Sequence, residues 1–144
     1  MVSPIQDTHL GVYGLIEQEE QVLVVHKSRG PYKGLFDLPG GRPSYGEGLL
    51  EALRREIREE TGLDASEYSW MGNYSCLISY VDSDNHPRQL YHIALIYRIV
   101  QANFHEADLS IISEDVIGGC WLKRPIQPEK CSFPLMEALK HNRS

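Results

Sequence analysis

Two apolar runs lie near the start of the chain. Residues 10–16 are rich in apolar and β-favouring side chains, and residues 21–26 contain Val22, Leu23, Val24 and Val25. Polar residues 17–20 separate them, so the pattern predicts two strands, the second well buried, which a hairpin turn can join. Residues 27–34 hold Gly30 and Pro31 and predict a loop. A short extended piece at 35–38 leads into Pro39-Gly40-Gly41. Leu49, Leu50, Leu53 and Ile57 then recur at helical intervals, Ser44 and Glu47 have capping-box spacing, and Gly62 follows as a stop. A helix over 46–61 follows from these signals. Residues 68–81 and 90–100 predict two longer strands joined by a turn at 82–89. Residues 101–114 are mostly polar, 116–122 predict a short strand, and Ser132 is placed to cap a last helix with Leu135, Met136 and Leu139 inward. Strands outnumber helices, so the class is α/β or α+β.

Composition narrows the picture. The chain has 144 residues, 42% hydrophobic and 24% charged, which predicts one folded domain over 1–144. Lys+Arg is 14 and Asp+Glu is 20, a net charge of −6. That balance disfavours broad, salt-driven DNA binding but leaves phosphate ligands open, because bound divalent cations invert local charge. The three cysteines, Cys76, Cys120 and Cys131, lack metal-site spacing and are expected as free thiols in a reducing compartment. Residues 1–10 show no signal-peptide pattern and no stretch is long and apolar enough to span a membrane, so a soluble cytoplasmic protein is the expectation.

The predicted helix of 46–61 carries the chemistry. At about 100° per residue, Glu60 lies about 40° to one side of Glu56 and Glu59 about 60° to the other. The three carboxylates share a face beside the stripe of Leu49, Leu53 and Ile57. Hard divalent cations prefer such oxygen donors. At about 5.5 Å two carboxylates repel by about 3 kcal/mol at an effective dielectric of 20, a cost that a cation removes. A solvated face laced by Glu51–Arg55 and Arg55–Glu59 pairs explains the same spacing. Gly41 and Gly46 bracket four residues as in a phosphate loop, but Glu47-Gly48 follows where that loop needs Lys then Ser or Thr.

The whole segment resembles the Nudix box: Gly, five residues, Glu, seven residues, Arg-Glu-aliphatic, one residue, Glu-Glu, one residue, Gly-aliphatic. Gly41, Glu47, Arg55, Glu56, Ile57, Glu59, Glu60, Gly62 and Leu63 match every fixed position. Leu38-Pro39-Gly40-Gly41 resembles the family's entry to the box, and a strand ending near Trp121 fits its later sheet. The resemblance covers the chain and implies the Nudix α/β/α sandwich, with a mixed sheet, a central box helix and a C-terminal helix. It implies that Glu56, Glu59 and Glu60 bind Mg²⁺ or Mn²⁺, with the carbonyl of Gly40 or Gly41 as a further ligand and Glu114 as a distal acidic candidate. Arg55 would hold a box glutamate, and Glu47 would fix the loop–helix geometry. Arg55 suits that task because its fork binds carboxylates bidentately.

The implied activity is metal-dependent hydrolysis of a phosphoanhydride bond by attack of an activated water. The substrate would be a small nucleotide or diphosphate: a nucleoside diphosphate linked to another moiety, or a nucleoside triphosphate. Glu56, Glu59, Glu60 and Glu114 stand open as the base. Arg42, Arg29 and Lys27 are candidates to reach a phosphate, and Tyr80 lies near where some dinucleoside polyphosphate hydrolases carry Tyr. A nucleotide-sensing module without turnover is the alternative, although no box glutamate is lost. The family includes monomers and dimers, and 90–100, read as an edge strand, leaves a homodimer open.

Overall fold

A computed structural model describes residues 3–100 and 103–141. The first strand, β1 (Ile5–Leu15), starts five residues before the apolar run at 10–16. Its outer half is exposed, so no hydrophobic pattern marks it. Backbone pairing carries it instead: every residue from Ile5 to Leu15 is in parallel register with Arg88 to Arg98. The hairpin expected between 10–16 and 21–26 is confined to two short partners. These are β2 (Glu17–Gln18) and the start of β3 (Gln21–Lys27), while β1 itself belongs to a different sheet.

β3 also pairs with β4 (Phe36–Asp37), and the chain then enters β5 (Gly40–Gly41), which pairs with β1. The helix α1 spans Leu49–Thr61, three residues later than expected. Ser44 and Glu47 do bond to each other, but as a turn. The Glu47 amide donates to the Ser44 carbonyl, and the Glu47 carboxylate accepts from the Ser44 amide at 2.9 Å. Gly48 is then the N-cap, and Gly62 ends the helix in the left-handed region at φ 77°.

The long strands β6 (Tyr68–Val81) and β7 (Pro87–Ile99) form an antiparallel pair. β8 (Val116–Lys123) pairs with β3, and α2 (Phe133–Leu139) is capped by the Ser132 side chain accepting from Leu135 N–H. Residues 101 and 102, the start of the polar stretch, lie outside the described residues.

One sheet has the order β5-β1-β7-β6 and the other the order β2-β3-β4, with β8 on the far side of β3. β7 is thus interior, not the edge strand expected, and β6 takes the edge. Parallel pairing with a strand some eighty residues earlier leaves no local trace. Alternating strand residues feed two cores. Val12, Ile16 and Leu23 pack with Leu53 and Ile57 of α1, and Tyr13, Leu15, Val22 and Val24 pack with Leu135 and Ala138 of α2. Sheet between two helices gives the α/β/α sandwich. The three cysteines are free, as expected. Among the described residues no helix is long and apolar enough to cross a membrane.

The core stripe of α1 is narrower than its periodicity suggests. Leu53 and Ile57 are fully buried, but Leu49 and Leu50, in the first turn, are 42% and 41% exposed. Leu53→Ala should therefore cost about 2–5 kcal/mol of unfolding free energy in urea titrations. Leu50→Ala should change it by about 0.5 kcal/mol or less.

Candidate functional site

Two glycines let strand and helix approach each other. Gly40 and Gly41 pair with Tyr13 and Val12 of β1. A Cβ on Gly40, whose φ is +150°, would lie 2.1 Å from the Val12 carbonyl oxygen, and one on Gly41 would lie 2.8 Å from the Glu56 carboxyl carbon. Bare backbone thus forms a cradle against the helix carboxylates. The Gly40 N–H donates to Glu60 Oε1 at 2.8 Å.

Arg55 organises the other side. Its Nε and Nη2 donate to the two oxygens of Glu47 at 2.8 and 2.9 Å, a bidentate pair that ties the loop to the helix. Its Nη1 donates to Glu56 at 3.0 Å and to both Glu59 oxygens at 3.3 Å, and Nη2 also reaches the Arg42 carbonyl at 3.3 Å. Helical angles place Arg55 away from the centre of the carboxylate face. Its long side chain nevertheless swings across to Glu56 and down to Glu47, taking Glu47 rather than Glu51 as its main partner.

The carboxylates divide by environment. Burial pushes Glu60 up to about 8, against the opposing Gly40 hydrogen bond and the Lys27 charge. Burial also raises Glu56, partly offset by Arg55. Hydrogen bonds from Arg55 and the Ser44 amide hold Glu47 down near 2. Glu59 is the most exposed of the three helix carboxylates, at 57%. Buried acids crowded beside a glycine cradle, all with hard oxygen donors, fit a divalent cation. Among the described residues a tighter trio exists elsewhere: donor atoms of Asp82, Asp84 and His86 lie within 4.8 Å of one another. That trio belongs to the β6–β7 turn, where Asp82 accepts from the Asp84 and His86 amides and from Arg88.

The remaining candidates lie around a neighbouring cleft of about 680 Å³, bordered by His9, Lys27, Arg29, Tyr32, Tyr80 and Arg88. Lys27, Arg29 and Tyr80 are therefore brought together. Arg29 is paired with Asp115 and, at 2.9 Å, with Glu114, which is 78% exposed. Arg42 is turned to His9, donating to Nδ1 at 3.0 and 3.2 Å. His9, Tyr13, Asp37 and His92, none of them marked by a motif, also line the cleft. His92 is 1% exposed and bonds Tyr13 at 2.8 Å and Tyr32 at 2.6 Å. Its partners are 79 and 60 residues away, so no motif signals them.

Residues 7–124 match the NUDIX domain family model, and the chain belongs to the Nudix family. It is 44% identical over 66 residues to the ADP-ribose pyrophosphatase of Methanocaldococcus jannaschii, a segment covering 46% of this chain and 39% of that protein. It is 26% identical over 128 residues to the CTP pyrophosphohydrolase of Escherichia coli, covering 88% of this chain and 87% of that one. A MutT NUDIX hydrolase from Burkholderia pseudomallei superposes with a TM-score of 0.69 over 93% of this chain and 97% of that chain, at 20% identity, a likeness of fold.

The Glu47 pairing has a pH signature. Its carboxyl titrates lower in the folded chain than its ordinary 4.5, so its contribution is full above that value and disappears as pH falls towards 2. Glu47→Gln should be less stable than the parent at neutral pH, and urea midpoints of the two should converge as pH falls through that window.

Proposed function

We propose that this chain is a divalent-metal-dependent hydrolase of phosphoanhydride bonds in nucleoside diphosphates linked to another moiety, or in nucleoside triphosphates. The observation that carries the reading is the Arg55 clamp, which holds Glu56 and Glu59 beside the buried Glu60–Gly40 contact. Family membership and the similarity to proteins named as pyrophosphatases support it.

Glu56, Glu59 and Glu60, with the carbonyl of Gly40 or Gly41, would hold Mg²⁺ or Mn²⁺. A cation held there would neutralise diphosphate charge and lower the pKa of a bound water. The chain's own residues do the rest. Arg55 and Glu47 fix the loop against the helix, so the carboxylates keep their spacing without reorganising. A box carboxylate takes the proton of the attacking water. Glu114 suits that role less well, because Arg29 holds it at the rim of the cleft. The adjacent cleft, of a size suited to a small molecule, takes the nucleoside end. Lys27, Arg29 and Tyr80 line that cleft and Arg42 bonds His9 of its lining, so these are the substrate-binding side chains of this reading.

The test is a panel of nucleoside triphosphates and diphosphate-linked nucleosides, assayed for released phosphate, pyrophosphate or nucleoside monophosphate. Turnover should vanish with EDTA and return with Mg²⁺ or Mn²⁺. Glu60→Gln should lower kcat by at least about 100-fold while its urea midpoint stays close to the parent's. Turnover that survives EDTA, or the absence of turnover across the panel, contradicts the reading.

A further inference from the structure

A continuous chain of side chains runs from Arg42 through four residues of the cleft lining: His9, Tyr13, His92 and Tyr32. Proton counting gives this chain a direction. Arginine has donors only, so His9 Nδ1, which receives both Arg42 contacts, is an acceptor. The His9 proton then sits on Nε2, which faces the Tyr13 hydroxyl at 3.3 Å and donates to it. Tyr13 has one hydrogen, and its second ring partner is His92 Nε2 at 2.8 Å. His92 Nε2 therefore accepts, and the His92 proton sits on Nδ1, which donates to the Tyr32 hydroxyl at 2.6 Å. Each step requires neutral imidazoles, and burial holds His9 near 4 and His92 near 3.

Tyr32 is left with one hydrogen and no described acceptor for it, and its side chain borders the cleft. We infer that Tyr32 determines specificity, its O–H being held by the one-way chain from Arg42 to donate to an acceptor atom on the nucleobase of the substrate. The surroundings favour a base over another phosphate. Arg29 and Arg88, two of the cleft's cations, are already engaged by Glu114, Asp115, Asp7 and Asp82. Lys27 and Lys33 also line the cleft, but the ring contact of Tyr32 is with His92, at 5.5 Å between centroids, and His92 in turn meets Tyr13 and His9. A neutral heterocycle with a carbonyl or ring nitrogen fits such a floor. The Arg42 carbonyl is also a partner of Arg55, so the same residue touches both the box clamp and the chain that orients Tyr32.

This inference rests on the hydrolase reading, and its test separates the two. In protein carrying ¹⁵N-labelled histidine, ring nitrogen shifts should report His9 protonated on Nε2 and His92 on Nδ1. Arg42→Ala, at an exposed position, should abolish the His9 preference. Adding AMP, GMP, CMP and UMP singly, without metal, should shift the His92 Nδ1 resonance with at least one nucleotide, whereas inorganic phosphate should not. With the best substrate of the panel, Tyr32→Phe should raise KM by at least about tenfold while kcat stays within about threefold. His92 protonated on Nε2, an unmoved KM, or a shift caused by phosphate overturns the inference. Loss of turnover in Glu60→Gln judges the hydrolase reading separately, and the histidine spectra need no turnover.

Discussion

Arg55 is the one side chain on which loop, helix and carboxylates all depend. Its guanidinium spends two donors on Glu47, in the loop, and shares a third nitrogen between Glu56 and Glu59, on its own helix. A lysine could not do this, because a point charge on a flexible stem cannot present a planar fork to one carboxylate and a spare edge to two more. Without that cation, acids would crowd one helix edge beside a backbone cradle that offers no counter-charge of its own. The clamp also fixes the position of Gly40 and Gly41, because the loop it anchors is the segment that runs from those glycines into the helix.

The two cores follow from the same geometry. β1 is buried on both faces over its inner half, sending Val12 towards α1 and Tyr13 towards α2. One strand thereby serves both chemistries. Its Gly40 and Gly41 partners present backbone to the box carboxylates, while His9 and Tyr13 help to build the floor of the cleft. The end of β6 and the β6–β7 turn line the same cleft with Tyr80 and Asp82. The scaffold thus sets the box carboxylates and the cleft close together, with Lys27 in the electrostatic range of both Glu60 and His92.

Local signals were legible where they were strong and unshared. The run at 68–81 coincides with β6, Gly62 stops α1 in the left-handed region, and Ser132 caps α2. The box residues were legible too, because their spacing is a motif, and Arg55 joins the acids that motif names. Other signals misled for physical reasons. Ser44 and Glu47 have capping spacing and do bond, but Gly46 between them is left-handed at φ 79°, so the helix begins beyond them at Leu49. The exposed half of β1 has no apolar pattern, because a partner strand rather than a core holds it. The interior place of β7 and the His9–Tyr13–His92–Tyr32 chain depend on contacts between residues many tens apart in sequence, which no window of residues displays.

The Arg55-clamped carboxylates, and not the tighter trio at the β6–β7 turn, are the proposed cation site. Mn²⁺ titration followed by electron paramagnetic resonance tests this most directly, because free and bound ion are counted without any substrate. The parent chain should take up Mn²⁺, Glu56→Gln and Glu60→Gln should weaken uptake, and Asp82→Ala should leave it intact. Uptake preserved in both glutamate variants and lost in Asp82→Ala would contradict it.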